Sequence, residues 1–550
     1  MRFNPEHYYL YDEMMDLLHG WQAEFPELIT VSSIGRSWQG REIPLVELTS
    51  GAGKKPAVLI SGNIHSAEVM GSCAVLYTID KLLCGYGTDP DATEILNDKL
   101  IYCIPRINVD AVDANLTTDE FYRGSLLPFH EEEDGIVRCD VDGDGAVRQM
   151  RRRNPEGIFF ASEMDDNILF RIWPGMPVPE GAKRYDLVSE GLYRGEGEPE
   201  FRERRNPCDI DPNRSFPFEW NREAIGITLR PCAGDYPLMD CETRALAQFV
   251  LAHLEIVMAL DFHSNMGTYI APMEFCKHLE SDATDSETFY TLGDELQQIC
   301  GYQVRDIFPV EAVRPAPGSY TTWLYYTLGI PAWCAEIGGL KRLYTSKEQE
   351  ETMMYMTELS EETAIVENFR KLVKWDQERY GGNYYMPWHD FDHPQFGKIE
   401  IGGWRDTNDT NTIWNFPEEY LPEECEDACR FIIANLKAAA QLRIKSFEVA
   451  AAPVTGNAKA TAIIGNTGRF ASTKSMQGHL TGMSSPGMAD LYGICNGQQT
   501  LLVRELLPVM GGGETTELSW SLPEEAYDEY QLVIQGDCAG EQTQSAKRRA

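Results

Sequence analysis

The stretch Ser61-Gly62-Asn63-Ile64-His65-Ser66-Ala67-Glu68 most constrains how this chain folds. The apolar run Ala57-Val58-Leu59-Ile60 before it reads as a buried strand, and Val69 to Leu83 after it is long and apolar enough for a packed helix. A histidine and a carboxylate three residues apart therefore fall where a strand ends and a helix begins. From the first helical turn both side chains can reach one point. A nitrogen and an oxygen donor placed in this way suit zinc with an open coordination position. They equally suit a loop histidine beside a glutamate held by the positive helix N-terminus, and the pair alone does not choose between these readings.

Further apolar runs settle the fold class. Tyr11 to Phe25 carries Met14, Leu17, Leu18 and Trp21 at helical spacing, whereas Ile43 to Leu48 and Leu100 to Ile104 are short runs typical of central strands. Strands alternating with helical patterns predict an α/β sheet, whose functional groups gather at the carboxyl ends of its strands. With 550 residues, 43% of them hydrophobic, the chain is globular and too long for one core. Its formal net charge of -38 repels nucleic acid and anionic membrane surfaces.

Fourteen cysteines without C-x-x-C pairs, several inside apolar runs, fit a reducing compartment. The opening residues lack an apolar leader, and no segment has the roughly 18 uninterrupted apolar residues of a membrane helix. The cytoplasm is the expected location, or secretion if a signal peptide has been removed.

Two later residues stand where His65 stands, at the ends of predicted strands. Ile256-Val257-Met258-Ala259-Leu260 runs into Asp261-Phe262-His263, and Pro331-Ala332-Trp333-Cys334-Ala335 runs into Glu336. Two histidines and a glutamate with water in the fourth place form a common catalytic zinc set. Glu336 is then available as a proton acceptor for that water, though a salt-bridged glutamate at a strand end has the same appearance. Between these runs, Asp211-Pro212-Asn213-Arg214 sets an amide beside a guanidinium among turn formers, a shape suited to clamping a carboxylate.

The segment Thr117 to Arg205 is charged and rich in Gly and Pro, and is expected to be an insertion of loops and short hairpins. Within it Asp140, Asp142 and Asp144 look like the first half of a Ca2+ loop. The twelfth position is Arg151 instead of a bidentate glutamate, so an acidic turn is favoured over calcium. Arg148, Arg151, Arg152 and Arg153 follow, more cations than the turn can neutralise.

In this order, His65-x-x-Glu68, Asn213-Arg214, His263-Ser264 and Glu336 resemble the zinc metallocarboxypeptidases of the carboxypeptidase A type over most of residues 6 to 375. Phe391-Asp392-His393-Pro394, Glu400-Ile401-Gly402-Gly403-Trp404 and Asp140 to Arg151 look like a bacterial branch of that family. The resemblance implies a mixed central sheet flanked by helices. It also implies one zinc per chain on His65, Glu68 and His263, Glu336 as general base, and Asn213 with Arg214 on the terminal carboxylate of a peptide. Arg151 best matches the arginine that faces the oxyanion, with Arg148 second. The family usually has a tyrosine about five residues before the Gly-Ser turn matched by Gly318-Ser319, and this chain has none there. Tyr320 is the nearest substitute, and Arg314 at the pocket mouth would favour acidic C-terminal residues. The implied activity is hydrolysis of a C-terminal peptide bond. The alternatives are an amidase or peptidase acting on cell-wall peptides or other carboxylate-bearing amides, and a peptide-binding relative without turnover.

Beyond the core, Glu348 to Lys374 and Pro422 to Leu442 read as helices, and Tyr384 to Trp414 as an aromatic loop. After Ile444 short alternating runs separated by Gly-rich turns predict a small β-sandwich, with Glu541 to Ala550 frayed. The expected domains are 1–443, with an insertion at about 117–205, and 444–550.

Overall fold

The computed structural model describes residues 2–172, 178–225, 231–264, 266–302, 304, 316–338, 362–405, 415–451, 458–522 and 527–549. Seven strands form the central sheet: β1 (Ile29–Arg36), β2 (Glu42–Leu48), β3 (Ala57–Gly62), β4 (Leu100–Ile104), β5 (Ile256–Ser264), β6 (Thr268–Ile270) and β7 (Ala332–Ile337). Their order is β1-β2-β4-β3-β5-β7-β6. β3 runs parallel to β4 and β5, and β5 parallel to β7, while β1, β2 and β6 join antiparallel. The sheet is therefore mixed. Every residue of β3 and β5 is buried, which explains their continuous apolar runs.

Helix α1 (Tyr11–Glu24) buries the four residues at helical spacing, Met14, Leu17, Leu18 and Trp21. Helix α2 (Met70–Gly85) packs on β3 and β5. Helix α3 (Tyr320–Leu328) lies against β5 and β7, and α4 (Leu421–Ala438) packs across α2. Of the helix expected from Glu348 to Lys374, residues 348–361 lie outside the described residues, and the remainder belongs to Glu362–Tyr380.

Three expectations fail. The insertion is more than loops and hairpins, because Gln149–Arg153, Arg184–Ser189, Phe159–Ala161 and Leu169–Arg171 share a six-stranded sheet with Tyr385–His393 and Gly397–Trp404. Those last two strands are the segment read as a loop. They form an antiparallel hairpin that sets Glu400 opposite Arg151. The tail is not frayed through its length, since Gly540–Ala546 pairs with Glu529–Gly536 as an edge strand.

Strands from Leu442 onward form two four-stranded sheets. Their inward residues, among them Val449, Ala460, Leu491, Leu532 and Ile534, are buried in the same apolar cluster as α2, α4 and β5. Among the described residues no helix is long and apolar enough to cross a membrane.

Candidate metal centre and active site

β3, β5 and β7 end side by side, in a register that pairs Phe262 with Gly62 and His263 with Glu336. His65 and Glu68 do not sit on the first helical turn. They occupy the irregular turn between β3 and α2, which Asn63 enters with a φ of 55° and which closes through Glu68 N–H to His65 O at 3.2 Å. The turn brings the side chains together. His65 Nδ1 lies 2.9 Å from Glu68 Oε1, and His263 Nδ1 lies 2.9 Å from Glu68 Oε2 and 3.0 Å from His65 Nδ1. All three residues are buried, at 3%, 1% and 0% exposure for His65, Glu68 and His263.

Each imidazole is oriented from behind. His65 donates from Nε2 to Asp211 Oδ1 at 3.0 Å, and His263 from Nε2 to Asp261 Oδ2 at 2.9 Å. Ser61 Oγ donates to the other oxygen of Asp261 at 2.6 Å. A carboxylate behind the ring leaves the opposite nitrogen as a lone-pair donor and raises its basicity. Two such nitrogens and a carboxylate, with donor atoms about 3 Å apart, fit the ligand set and spacing of tetrahedral zinc. Burial opposes the charge on Glu68, but His65, Arg123 and His263 outweigh it and hold this carboxyl well below the usual range. Burial likewise opposes ionisation of Asp211, and His65, Arg123 and Arg214 reverse it. Burial would lower His263, yet Cys334, Asp261 and Glu68 hold it well above the usual range.

Glu336 lies at the end of β7, half-buried, with the Cys334 thiol 3.9 Å from its Oε1. Burial pushes that thiol up to about 12. Asn213 and Arg214 form a short 3-10 turn capped by Asp211, which accepts the Asn213 N–H on the same Oδ1 that holds His65. The metal cluster and the Asn-Arg pair thus share one carboxylate. Arg214 donates to the Asn213 carbonyl at 2.8 Å and forms no salt bridge among the described residues.

Arg151 and Arg148 make their contacts within the insertion and its sheet. The Arg151 guanidinium is spent on Glu400, at 2.7 and 3.0 Å, and on the Asp166 carbonyl at 2.6 Å, between the rings of Tyr185 and Trp388. These bonds commit its guanidinium to the six-stranded sheet. Arg148 is also tied elsewhere, to Asp144 at 2.6 Å. The Tyr320 ring is fully buried beside Phe216 and Trp323, and its hydroxyl has no hydrogen-bond partner among the described residues; its main-chain N–H donates to Asn213 Oδ1 at 2.8 Å. Its ring packs as a wall beside the Asn213 turn. Arg314 lies outside the described residues.

One arginine was missed. Arg123 donates to Glu68 Oε1 at 2.6 Å, approaches Asp211 Oδ2 at 3.6 Å, and feels the charge of Glu336. Its loop is anchored by the Ser66 N–H on the Arg123 carbonyl at 2.9 Å. Gly124 packs so tightly that a Cβ there would lie 2.4 Å from the Ile210 carbonyl oxygen. The residue pair Arg123-Gly124 is the only sequence trace of this arrangement.

Asp140, Asp142 and Asp144 do converge, but Asp140 accepts the N–H groups of Gly143 and Gly145, and Asp144 is shared between Ala146 N–H and Arg148. This is an acidic turn satisfied by its own backbone.

A family model described as zinc carboxypeptidase matches residues 14–158 and 182–366. Carboxypeptidase B of Astacus astacus is 24% identical over 344 residues, covering 62% of this chain and 85% of that protein. Carboxypeptidase A1 of Bos taurus is 34% identical over 328 residues, covering 59% of this chain and 60% of that protein. The solved carboxypeptidase A from Helicoverpa armigera aligns with a TM-score of 0.40 at 14% identity, covering 69% of this chain and 76% of that one. With the family model matching more than half of its length, the chain belongs to the zinc carboxypeptidase family and is a metallopeptidase.

Proposed function

We propose that this metallopeptidase removes the C-terminal residue of a peptide bearing a free carboxylate, with one zinc held by His65, Glu68 and His263. The observation that carries the proposal is Asp211, whose Oδ1 fixes both a ligand histidine and the Asn213-Arg214 turn. A carboxylate clamp built onto the metal site suits a substrate whose scissile bond lies one residue from its end. Arg214, with a cation not neutralised by any salt bridge among the described residues, and Asn213 receive that carboxylate.

His65, Glu68 and His263 would hold the zinc, which when bound would supply a Lewis acid for the carbonyl and a water with its pKa lowered to about 7. Glu336 takes the proton from water as its oxygen attacks the carbonyl carbon, and returns it to the nitrogen as the C–N bond breaks. Arg123 replaces Arg151 in the role of facing the charge that develops on the carbonyl oxygen. Peptide and amidated peptide, compared on wild type and Glu336→Gln, test this. We expect one zinc per chain in both proteins, cleavage of the free acid only, and a loss of about 10²–10⁴ in kcat for the variant. Unchanged kcat in Glu336→Gln would remove the base, and cleavage of a wall-derived muropeptide alone would move the substrate to that class of amide.

A further inference from the structure

Residues 415–424 lie beyond the two stretches that match the family, yet they reach back to both carboxylates of the site. Asn415, 3% exposed, brackets the main chain around Glu68. Its Oδ1 accepts the Met70 N–H at 3.3 Å, and its Nδ2 donates to the Ala67 carbonyl at 2.7 Å. On the other side, Asn63 Nδ2 donates to the Glu68 carbonyl at 2.7 Å. The turn that carries the proposed metal ligand is therefore held by two asparagines, one of them more than 340 positions distant in sequence.

Glu424, in the first turn of α4 and 4% exposed, does the same behind Glu336. Two residues beyond Glu336, the Gly338 N–H donates both to Tyr302 Oη at 2.7 Å and to Glu424 Oε2 at 3.2 Å, and the Tyr302 hydroxyl donates to Glu424. Gly338 has a φ of 72°, and a Cβ there would meet Met70 Cε at 2.4 Å and Phe416 Cζ at 3.6 Å. The ring of Phe416, the residue after Asn415, thus sits where the metal-ligand turn and the strand bearing the base come together. The Phe416 carbonyl is itself held by the Tyr8 hydroxyl at 2.6 Å.

We infer that this extension is part of the active-site scaffold: Asn415 positions the turn bearing Glu68 for metal binding, and Glu424 with Tyr302 positions the end of β7 for proton transfer by Glu336. The inference rests on the proposed roles of Glu68 and Glu336. It predicts a division of labour that loss of general stability would not produce, because each residue acts through a different functional carboxylate. Supports of a metal ligand change affinity by about 10–100-fold, and a misplacement of about 1 Å at a reacting group costs about 10²-fold in rate.

The test uses the 550-residue chain and reads zinc affinity by chelator competition, kcat and KM at saturating zinc, and apo-protein melting. Asn415→Ala should weaken zinc about 10–100-fold, with kcat at saturating zinc within about 3-fold of wild type. Glu424→Ala should leave zinc affinity within about 3-fold, lower kcat about 10–100-fold and leave KM unchanged. Glu424→Gln should recover most of the rate, because an amide oxygen still accepts the Gly338 N–H. If the alanine variants fold poorly, Asn415→Asp, which loses the donor to Ala67, and Tyr302→Phe carry the same two predictions. Parallel loss of zinc affinity and kcat in both positions, or no change in either, overturns the inference. Glu68→Ala and Glu336→Gln serve as controls: if they spare zinc binding and activity, it is the underlying roles that fail.

Discussion

Among the described residues, two of the three groups that place metal-ligating side chains within 4.8 Å share no residue, and they differ in everything that makes a site. His65, Glu68 and His263 are buried, and the carboxylate is compensated by two imidazoles and Arg123. Asp140, Asp142 and Asp144 stand at the surface of the insertion, where burial and the neighbouring aspartates push Asp142 upward, with His389 Nε2 3.6 Å from its Oδ2. In the first cluster the supporting bonds come from behind and leave the inner donor atoms facing one another. In the second the carboxylate oxygens are already turned onto their own backbone. Convergence of ligands is thus a weak criterion; what matters is which lone pairs remain and what backs them.

The two arginines assigned to these regions test that contrast most severely. Arg123→Ala should lower kcat by about 10²–10³, since it removes a preorganised cation from the reacting carbonyl. Arg151→Ala should do the reverse, leaving kcat within about 2-fold while costing about 1–3 kcal/mol of stability, because Glu400 and the Asp166 carbonyl lose their donor. Steady-state kinetics and urea titration on both variants decide it, and an Arg151 variant with collapsed kcat at full folding would restore the sequence-based assignment.

The carboxylates behind the imidazoles come next. Asp211→Asn and Asp261→Asn should each weaken zinc by about 10–100-fold, as measured by chelator competition, because the ring nitrogen loses an anionic acceptor. Asp211→Asn should also raise KM, since the same oxygen holds the Asn213 turn. Equal KM values in the two variants would break the link between metal and clamp.

How much of this was legible follows from distance in sequence. His65, His263 and Glu336 each end an apolar run, so strand and ligand are read together from a few neighbouring residues. Arg123 has no such flank, and its place depends on Gly124 fitting against Ile210 and Pro212. Arg151 looked unneutralised because its partner Glu400 is 249 positions away. The strands Tyr385–His393 and Gly397–Trp404 read locally as a loop because His389, Asp390 and Asp392 interrupt the apolar alternation, and their ladder to Gln149–Arg153 is invisible locally. Gly540–Ala546 contains almost no apolar residue, so an edge strand there leaves no period to read.

Glu190 sharpens the electrostatic side of the comparison. It lies fully buried behind the acidic turn, accepting N–H bonds from Val141, Asp142 and Arg148 with no salt bridge among the described residues, and burial pushes it up to about 7. A carboxyl raised above its unfolded value of about 4.5 binds more protons folded than unfolded, so its contribution falls as pH rises from about 4.5 to 7 and is constant above that. The stability of wild type relative to Glu190→Gln should therefore decline by about 1–3 kcal/mol across that window and then level off. A flat difference would show that the three N–H donors already pay for the charge.

The smallest effect belongs to the acidic turn itself. Ligand binding to the folded state alone raises stability by about 4 kcal/mol at a thousandfold excess over Kd, so zinc added to the apo protein should raise the melting temperature clearly. Calcium at millimolar concentration should leave it unchanged, and Asp142→Asn should lie within about 0.5 kcal/mol of wild type, because Asp140 and Asp144 have already committed their oxygens to Gly143, Gly145, Ala146 and Arg148. A calcium-dependent rise that Asp142→Asn abolishes would mean that the turn exchanges its backbone bonds for an ion, and the distinction between the two clusters would then be one of hardness of ligand rather than of construction.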